Sequence, residues 1–170
     1  LYKNIGADGI KTGYLAVEKY SLASSVMKDT RRLIAVGSGF DTKKARISES
    51  RKLINWGYRN TDTFEISKKE ETIFELRTWL GKSDIVKAIT RENVYATIGK
   101  KDARNIKVII DYTGPVRAPI AKDQEIANIK IFLKNELIRT TPLYSLEKVN
   151  KVNFIQSLFM SLNYLIWGDV

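Results

Sequence analysis

The chain has 170 residues, with 29 Lys and Arg against 19 Asp and Glu, a formal charge of +10, and neither His nor Cys. A Ser-His-Asp triad, an imidazole or thiolate metal site and a disulfide framework are therefore excluded, which leaves Ser, Thr, Lys and carboxylates to carry any catalysis. The charge is uneven: residues 1–60 carry +7, residues 61–150 carry +3, and residues 151–170 are neutral. Such an excess is expected on a solvated surface that works near an anionic polymer or lipid. Nucleic acid is not expected as a partner, because the aromatics are not interleaved with Arg as a base-stacking platform requires. The chain opens on Leu1 without a signal peptide, so it is expected to be a piece of a longer polypeptide.

From Gly9 to about Arg59 the pattern predicts strand, strand, strand, helix. Tyr20-Ser-Leu-Ala-Ser-Ser-Val26 and Leu33-Ile-Ala-Val-Gly37 are short apolar runs joined by the polar turn Lys28–Arg32, as in a hairpin of buried strands. Asp41-Thr42 offers an N-cap. Helical spacing then runs through Ile47, Arg51 and Ile54 to Gly57, which is expected to stop the helix. A domain boundary is placed near Arg59–Asp62.

From Asn60 to Val149 the period changes to two. Ile106, Val108 and Ile110 alternate with Lys107, Ile109 and Asp111, and Ile129, Ile131 and Leu133 alternate with Lys130, Phe132 and Lys134. Gly114-Pro115 and Lys134-Asn135 are turn signals, and the spacing predicts a small sandwich-like or barrel-like all-β domain.

The last segment places Ile155, Leu158, Phe159, Leu162, Leu165 and Ile166 on one helix face. Its 14 residues, Phe154–Trp167, fall short of the roughly 20 that span a bilayer. Two uses of that face are open: it lies in a membrane interface, with Tyr164 and Trp167 at headgroup level and Lys148 and Lys151 meeting anionic lipid, or it packs on this or another subunit.

Lys11-Thr12-Gly13 carries the most specific chemistry. A lysine ammonium supplies positive potential beside a serine nucleophile, a threonine hydroxyl bonds a substrate carboxylate, and a glycine lets substrate lie along a strand without meeting a Cβ.

The run Asp8-Gly-Ile-Lys-Thr-Gly13, with Tyr20-Ser-Leu-Ala-Ser-Ser25, Arg32-Leu-Ile-Ala-Val36 and Arg46-x-x-Glu49-Ser-x-Lys52-Leu-Ile-Asn-Trp-Gly-Tyr58, resembles the end of the catalytic domain of low-molecular-weight penicillin-binding proteins. These are serine-type D-alanyl-D-alanine carboxypeptidases of peptidase family S11. Val94-Tyr95, Ala118-Pro119-Ile120-x-Lys122 and Thr141-Pro142-Leu143 are similar to that family's C-terminal β domain. The resemblance implies an α+β fold: a remnant of the β-lactamase/transpeptidase-like catalytic domain over 1–60, an all-β domain over 61–149, and an amphipathic membrane-anchor helix over 150–170.

The implied catalytic residues are Lys11, Thr12 and Gly13. Thr12 would contact the terminal carboxylate of the substrate, the backbone N–H of Tyr14 would be one oxyanion-hole donor, and Arg46 would bind the free carboxylate. A solvated charge at a helix start is the alternative for Arg46. The anchor would use Phe154, Ile155, Leu158, Phe159, Leu162, Leu165, Ile166 and Trp167. The implied partners are a peptidoglycan stem peptide ending in D-Ala-D-Ala, β-lactams if the full catalytic domain is present, and the periplasmic face of the inner membrane. No cofactor or metal is implied.

The family's Ser-x-x-Lys and Ser-x-Asn motifs precede Lys-Thr-Gly, where this chain holds only Leu1–Ile10. Ser25–Lys28, Ser145–Lys148 and Ser161-Leu162-Asn163 match in the wrong order, so the chain by itself is expected to be inactive. A second reading is a non-catalytic membrane-associated module that retains the β domain. The family pattern also has His-Thr where Tyr14-Leu15 stand, Ala-Gly at Glu18-Lys19, and glycines at Asp123 and Ala127.

Overall fold

The computed structural model describes residues 6–168; the Leu1 start and the last two residues of the segment expected to be an anchor lie outside them. The chain divides into two compact units, residues 1–63 with 97–101, and residues 64–96 with 102–170.

In the first unit, β1 (Ala7–Leu15), β2 (Lys19–Lys28) and β3 (Arg31–Phe40) form an antiparallel sheet in that order, followed by α1 (Lys43–Asn60). The turn between β2 and β3 is Asp29-Thr30, with Lys28 opposite Arg31. Asp29 takes a left-handed φ of 54°, a region Asp enters more readily than most residues. Alternation sends Leu22, Val26 and Ala35 to the face covered by α1, where Ile54 completes a small core with Leu33 and Tyr58 packed against it. Ile34 and Val36, 61% and 72% exposed, lie on the other face.

Thr42 caps α1, its hydroxyl accepting from the Ala45 N–H at 3.0 Å. The helix does not stop at Gly57. It runs one turn further, to Asn60, and the Thr61 N–H and hydroxyl both close on the Gly57 carbonyl. Gly57 is needed for another reason: a Cβ there would stand 2.9 Å from Leu33 Cδ1. One residue on, the Tyr58 hydroxyl reaches across the sheet to the carbonyls of Val26 at 2.9 Å and Arg31 at 3.0 Å.

The remaining strands are β4 (Thr61–Ser67), β5 (Thr72–Trp79), β6 (Ile85–Ile89), β7 (Val94–Gly99), β8 (Ile106–Asp111), β9 (Val116–Arg117), β10 (Glu125–Leu133) and β11 (Glu136–Ser145). Six form a sheet in the order β8-β10-β11-β6-β5-β9, and β4 pairs with β7. The period-two reading is visible in β10, where Ala127, Ile129 and Ile131 are buried beside Leu76, Val86 and Leu143. In β8 it is weaker. Val108 is 44% exposed because β8 is the outer strand of its sheet and has a neighbour on one side only. Lys134 and Asn135, with φ of 51° and 69°, form the two-residue turn between β10 and β11; left-handed φ at both positions matches the twist of the flanking strands.

Val149 is buried and pairs with Ile120, the Lys82 N–H donates to the Asn150 carbonyl at 2.8 Å, and the Val152 N–H donates to the Leu80 carbonyl at 3.0 Å. α2 (Phe154–Trp167) follows at once, capped by Asn153, whose side chain accepts from the Gln156 N–H at 2.8 Å. The described residues leave its apolar face uncovered: Phe154, Ile155, Leu158, Phe159, Leu162, Leu165 and Ile166 are all exposed, as is Trp167 at its C-terminal end. Among the described residues no helix is long and apolar enough to cross a membrane.

Candidate functional site

Among the described residues β1 is an outer strand, with β2 as its one partner strand in the sheet. Its other edge presents backbone N–H and C=O groups to any extended peptide that aligns with it. Lys11 stands opposite Ala23, Thr12 opposite Leu22, Gly13 opposite Ser21 and Tyr14 opposite Tyr20. Side chains that oppose one another share a face. Thr12 and Tyr14 therefore lie on the side of Leu22, and Lys11 and Gly13 on the side of Ala23. Lys11 is exposed and makes no ion pair with another described residue. Gly13 has a packing reason within the sheet, since a Cβ there would collide with the Ser21 hydroxyl.

Arg46 is 9% exposed, so the solvated-charge alternative does not hold. Its guanidinium lies over the Tyr20 ring, 5.7 Å from the centroid, and its Nε is buried without a hydrogen-bond partner. On the strand side, the Tyr20 ring meets the Tyr14 ring at 4.6 Å. Tyr14 and Arg46 are thus brought to one corner through Tyr20, which was read from sequence only as the start of a strand. A cation–π partner 26 residues away has no local signature, so nothing in the sequence pattern points to it.

On the opposite face, Asp8 forms an ion pair with Arg32 at 2.6 Å, and the Arg32 guanidinium also donates to the buried Ser25 hydroxyl. The hydrogen bond from Arg32, followed by one from Ser25, holds the Asp8 carboxyl below its ordinary value. Asp41 is lowered likewise by its hydrogen bond and charge pairing with Lys19. Lys19 itself sits at φ 60°.

The structure places the serines of the two Ser-x-x-Lys matches on strands rather than on a helical turn. Ser25 to Lys28 runs along β2, where an offset of three residues sends the side chains to opposite faces. Ser145 ends β11 and its hydroxyl donates to the Glu147 carbonyl. Among the described residues no group of three or more His, Cys, Asp or Glu is placed to hold a metal.

The family model for the C-terminal domain of penicillin-binding protein 5 matches residues 62–151. D-alanyl-D-alanine carboxypeptidase DacC of Escherichia coli (strain K12) is 31% identical over 167 residues, covering 96% of this chain and 42% of the relative. DacF of Bacillus subtilis (strain 168), of the same description, is 29% identical over 154 residues, covering 90% and 40%. Among solved structures, penicillin-binding protein 5 from Haemophilus influenzae superposes with a TM-score of 0.79 at 31% identity, covering 88% of this chain and 44% of that one. The D-alanyl-D-alanine carboxypeptidase DacD from Francisella tularensis gives 0.62 at 25% identity, covering 89% and 38%. The chain spans about two fifths of the length of the curated relatives it matches. On these matches, and on an α+β fold made mostly of strands, the chain belongs to the family of the penicillin-binding protein 5 C-terminal domain, and its relatives are D-alanyl-D-alanine carboxypeptidases.

Proposed function

We propose that this chain supplies one wall of a serine acyl-transfer site that removes the terminal D-Ala from peptidoglycan stem peptides. The observation that carries the reading is Lys11-Thr12-Gly13 on the open edge of β1, with Arg46 buried close to the end of that strand. A stem peptide aligned with the edge would find Thr12 and Arg46 for its carboxylate and the Tyr14 N–H for the oxyanion that develops at the attacked carbonyl. Lys11 would lower the energy of negative charge from the other face of the strand.

In this reaction a serine Oγ adds to the carbonyl of the penultimate D-Ala, the C–N bond to the last D-Ala breaks, and water hydrolyses the ester. The serine is not assigned to this chain. Residues 1–60 then act as the end of a transpeptidase-like catalytic domain, 61–149 as its β domain, and 150–170 as the attachment to the periplasmic face of a membrane.

Fluorescent penicillin tests the assignment. The 170-residue chain alone should remain unlabelled, whereas the polypeptide its host makes should be acylated and should release D-Ala from a peptide ending in D-Ala-D-Ala. Thr12→Ala and Arg46→Ala in that polypeptide should each raise KM about tenfold or more, the usual scale for a lost charged hydrogen bond. A covalent adduct on a serine of the isolated chain, or unchanged KM in both variants, would overturn it.

A further inference from the structure

We propose that the contact between Trp79 and Tyr164 locks α2 against the β domain as a rigid, lipid-facing foot. The inference rests on the membrane attachment proposed above and goes beyond it by fixing which side of the helix faces lipid and what holds it there.

An amphipathic helix ordinarily gives its apolar side to its own domain; α2 does the reverse. Ser157 and Met160 are half-buried, and the Tyr164 ring meets Trp79 edge-on at 5.1 Å. At 100° per residue, Met160 and Tyr164 lie across the helix axis from Ile155, Leu158 and Leu162. The outward arc, at least 46% exposed at every large apolar position, is therefore presented away from the sheet.

No slack precedes the helix. Val149 is in the core, Asn150 and Val152 are hydrogen-bonded to the segment between β5 and β6, and Asn153 is already the cap. Such a helix cannot swivel, so its roll sets how the β domain sits on whatever covers the arc.

Charge chooses the occupant. Phe154–Trp167 contains no charged residue, while Lys151 and Lys82 flank its first turn. Lys82, with Asp84, Gln156, Phe159 and Met160, lines an open cavity of about 710 Å³ beside the helix. An uncharged apolar arc with Lys82 and Lys151 beside its first turn fits the acyl-to-headgroup boundary of an anionic bilayer.

The test uses the full 170-residue chain and vesicles of phosphatidylethanolamine and phosphatidylglycerol, 3:1. Since the sequence lacks Cys, Glu136→Cys carries a single nitroxide at the β10–β11 turn, and its distances to a spin-labelled headgroup report domain orientation. Wild type and Tyr164→Phe should give a narrow distribution. Trp79→Ala and Tyr164→Ala should give a broad one while partitioning within about twofold of wild type, because the apolar arc is untouched. Tyr164 is half exposed, so its truncation leaves the domain folded even where Trp79→Ala does not. Replacing Lys82 and Lys151 together by Gln should weaken partitioning roughly tenfold or more. Equal widths in all variants would overturn the lock and leave the attachment standing. Failure of wild type to bind, or a dimer in solution that Leu158→Lys dissociates, would remove the attachment and the lock together.

Discussion

Among the described residues the β domain encloses twelve buried apolar side chains in one cluster, whereas the sheet and helix of the first unit close around three, Val26, Ala35 and Ile54, with Leu22 buried apart from that cluster. In the β domain, Leu76, Val86, Ile120, Ile129, Ile131 and Leu143 are almost fully withdrawn from water. In the first unit a single helix covers one face of three strands and leaves Ile34 and Val36 open on the other. Stability scales with apolar area removed from water, and a core that small is marginal. The residues that resemble a catalytic motif therefore sit on the less stable part of the chain, and the more stable part carries none of them.

That contrast can be broken at several points. The largest effect is expected for Ile129→Ala, which should cost about 2–5 kcal/mol, read as a shift of the urea midpoint. Ile34→Ala should move the same midpoint by less than about 0.5 kcal/mol, and a comparable loss at both sites would erase the distinction. Limited proteolysis of the native chain should cut within residues 6–60 well before residues 102–149, because local opening is easiest where few apolar contacts hold the backbone. Equal protection of the two would contradict the small core assigned to the first unit. Removing the cap with Thr42→Ala should cost about 1 kcal/mol, seen as lost helicity of α1 on mild heating.

Smaller effects sharpen the comparison. Lys19 and Asp123 stand where the family pattern carries glycine, and both are left-handed, at φ 60° and 63°. Asp123→Gly should stabilise the β domain by up to about 1 kcal/mol. Lys19→Gly should gain less in the first unit, since it also loses the ion pair with Asp41. Lowered melting temperatures for both would refute the backbone explanation. The smallest effect concerns Asp8. Its carboxyl is lowered in the fold from an ordinary value of 3.8, so its contribution is present above that value and is lost as pH falls through the folded one. Arg32→Gln should therefore be less stable than wild type near neutrality and converge with it in strong acid; a gap that persists in acid would assign the effect to packing.

Much of this was legible in the sequence. Period two marked the strands, helical spacing marked α1 and α2, and Thr42 was visible as a cap. The division of Lys11 and Thr12 between two faces follows from strand alternation alone. What the pattern missed was set by residues distant in sequence. Gly57 looked like a helix stop because glycine usually is one, but its place is dictated by the approach of Leu33 from β3. Arg46 was read as a carboxylate ligand with a solvated charge as the alternative, and only the fold reveals that it is buried beside the Tyr20 ring. The strain at Lys19 and Asp123 was present only as a departure from a family pattern, without the φ that explains it.

The Tyr58 hydroxyl has one proton for two acceptors, the Val26 and Arg31 carbonyls on either side of the Asp29-Thr30 turn. The bond is thus shared between the two strands, and both must hold their positions to keep it. The hairpin end and the last turns of α1 therefore open as one cooperative unit, so their amides should exchange with solvent deuterium at a common rate. Tyr58→Phe keeps the ring and removes the tie, which would let the hairpin tip breathe independently of the helix.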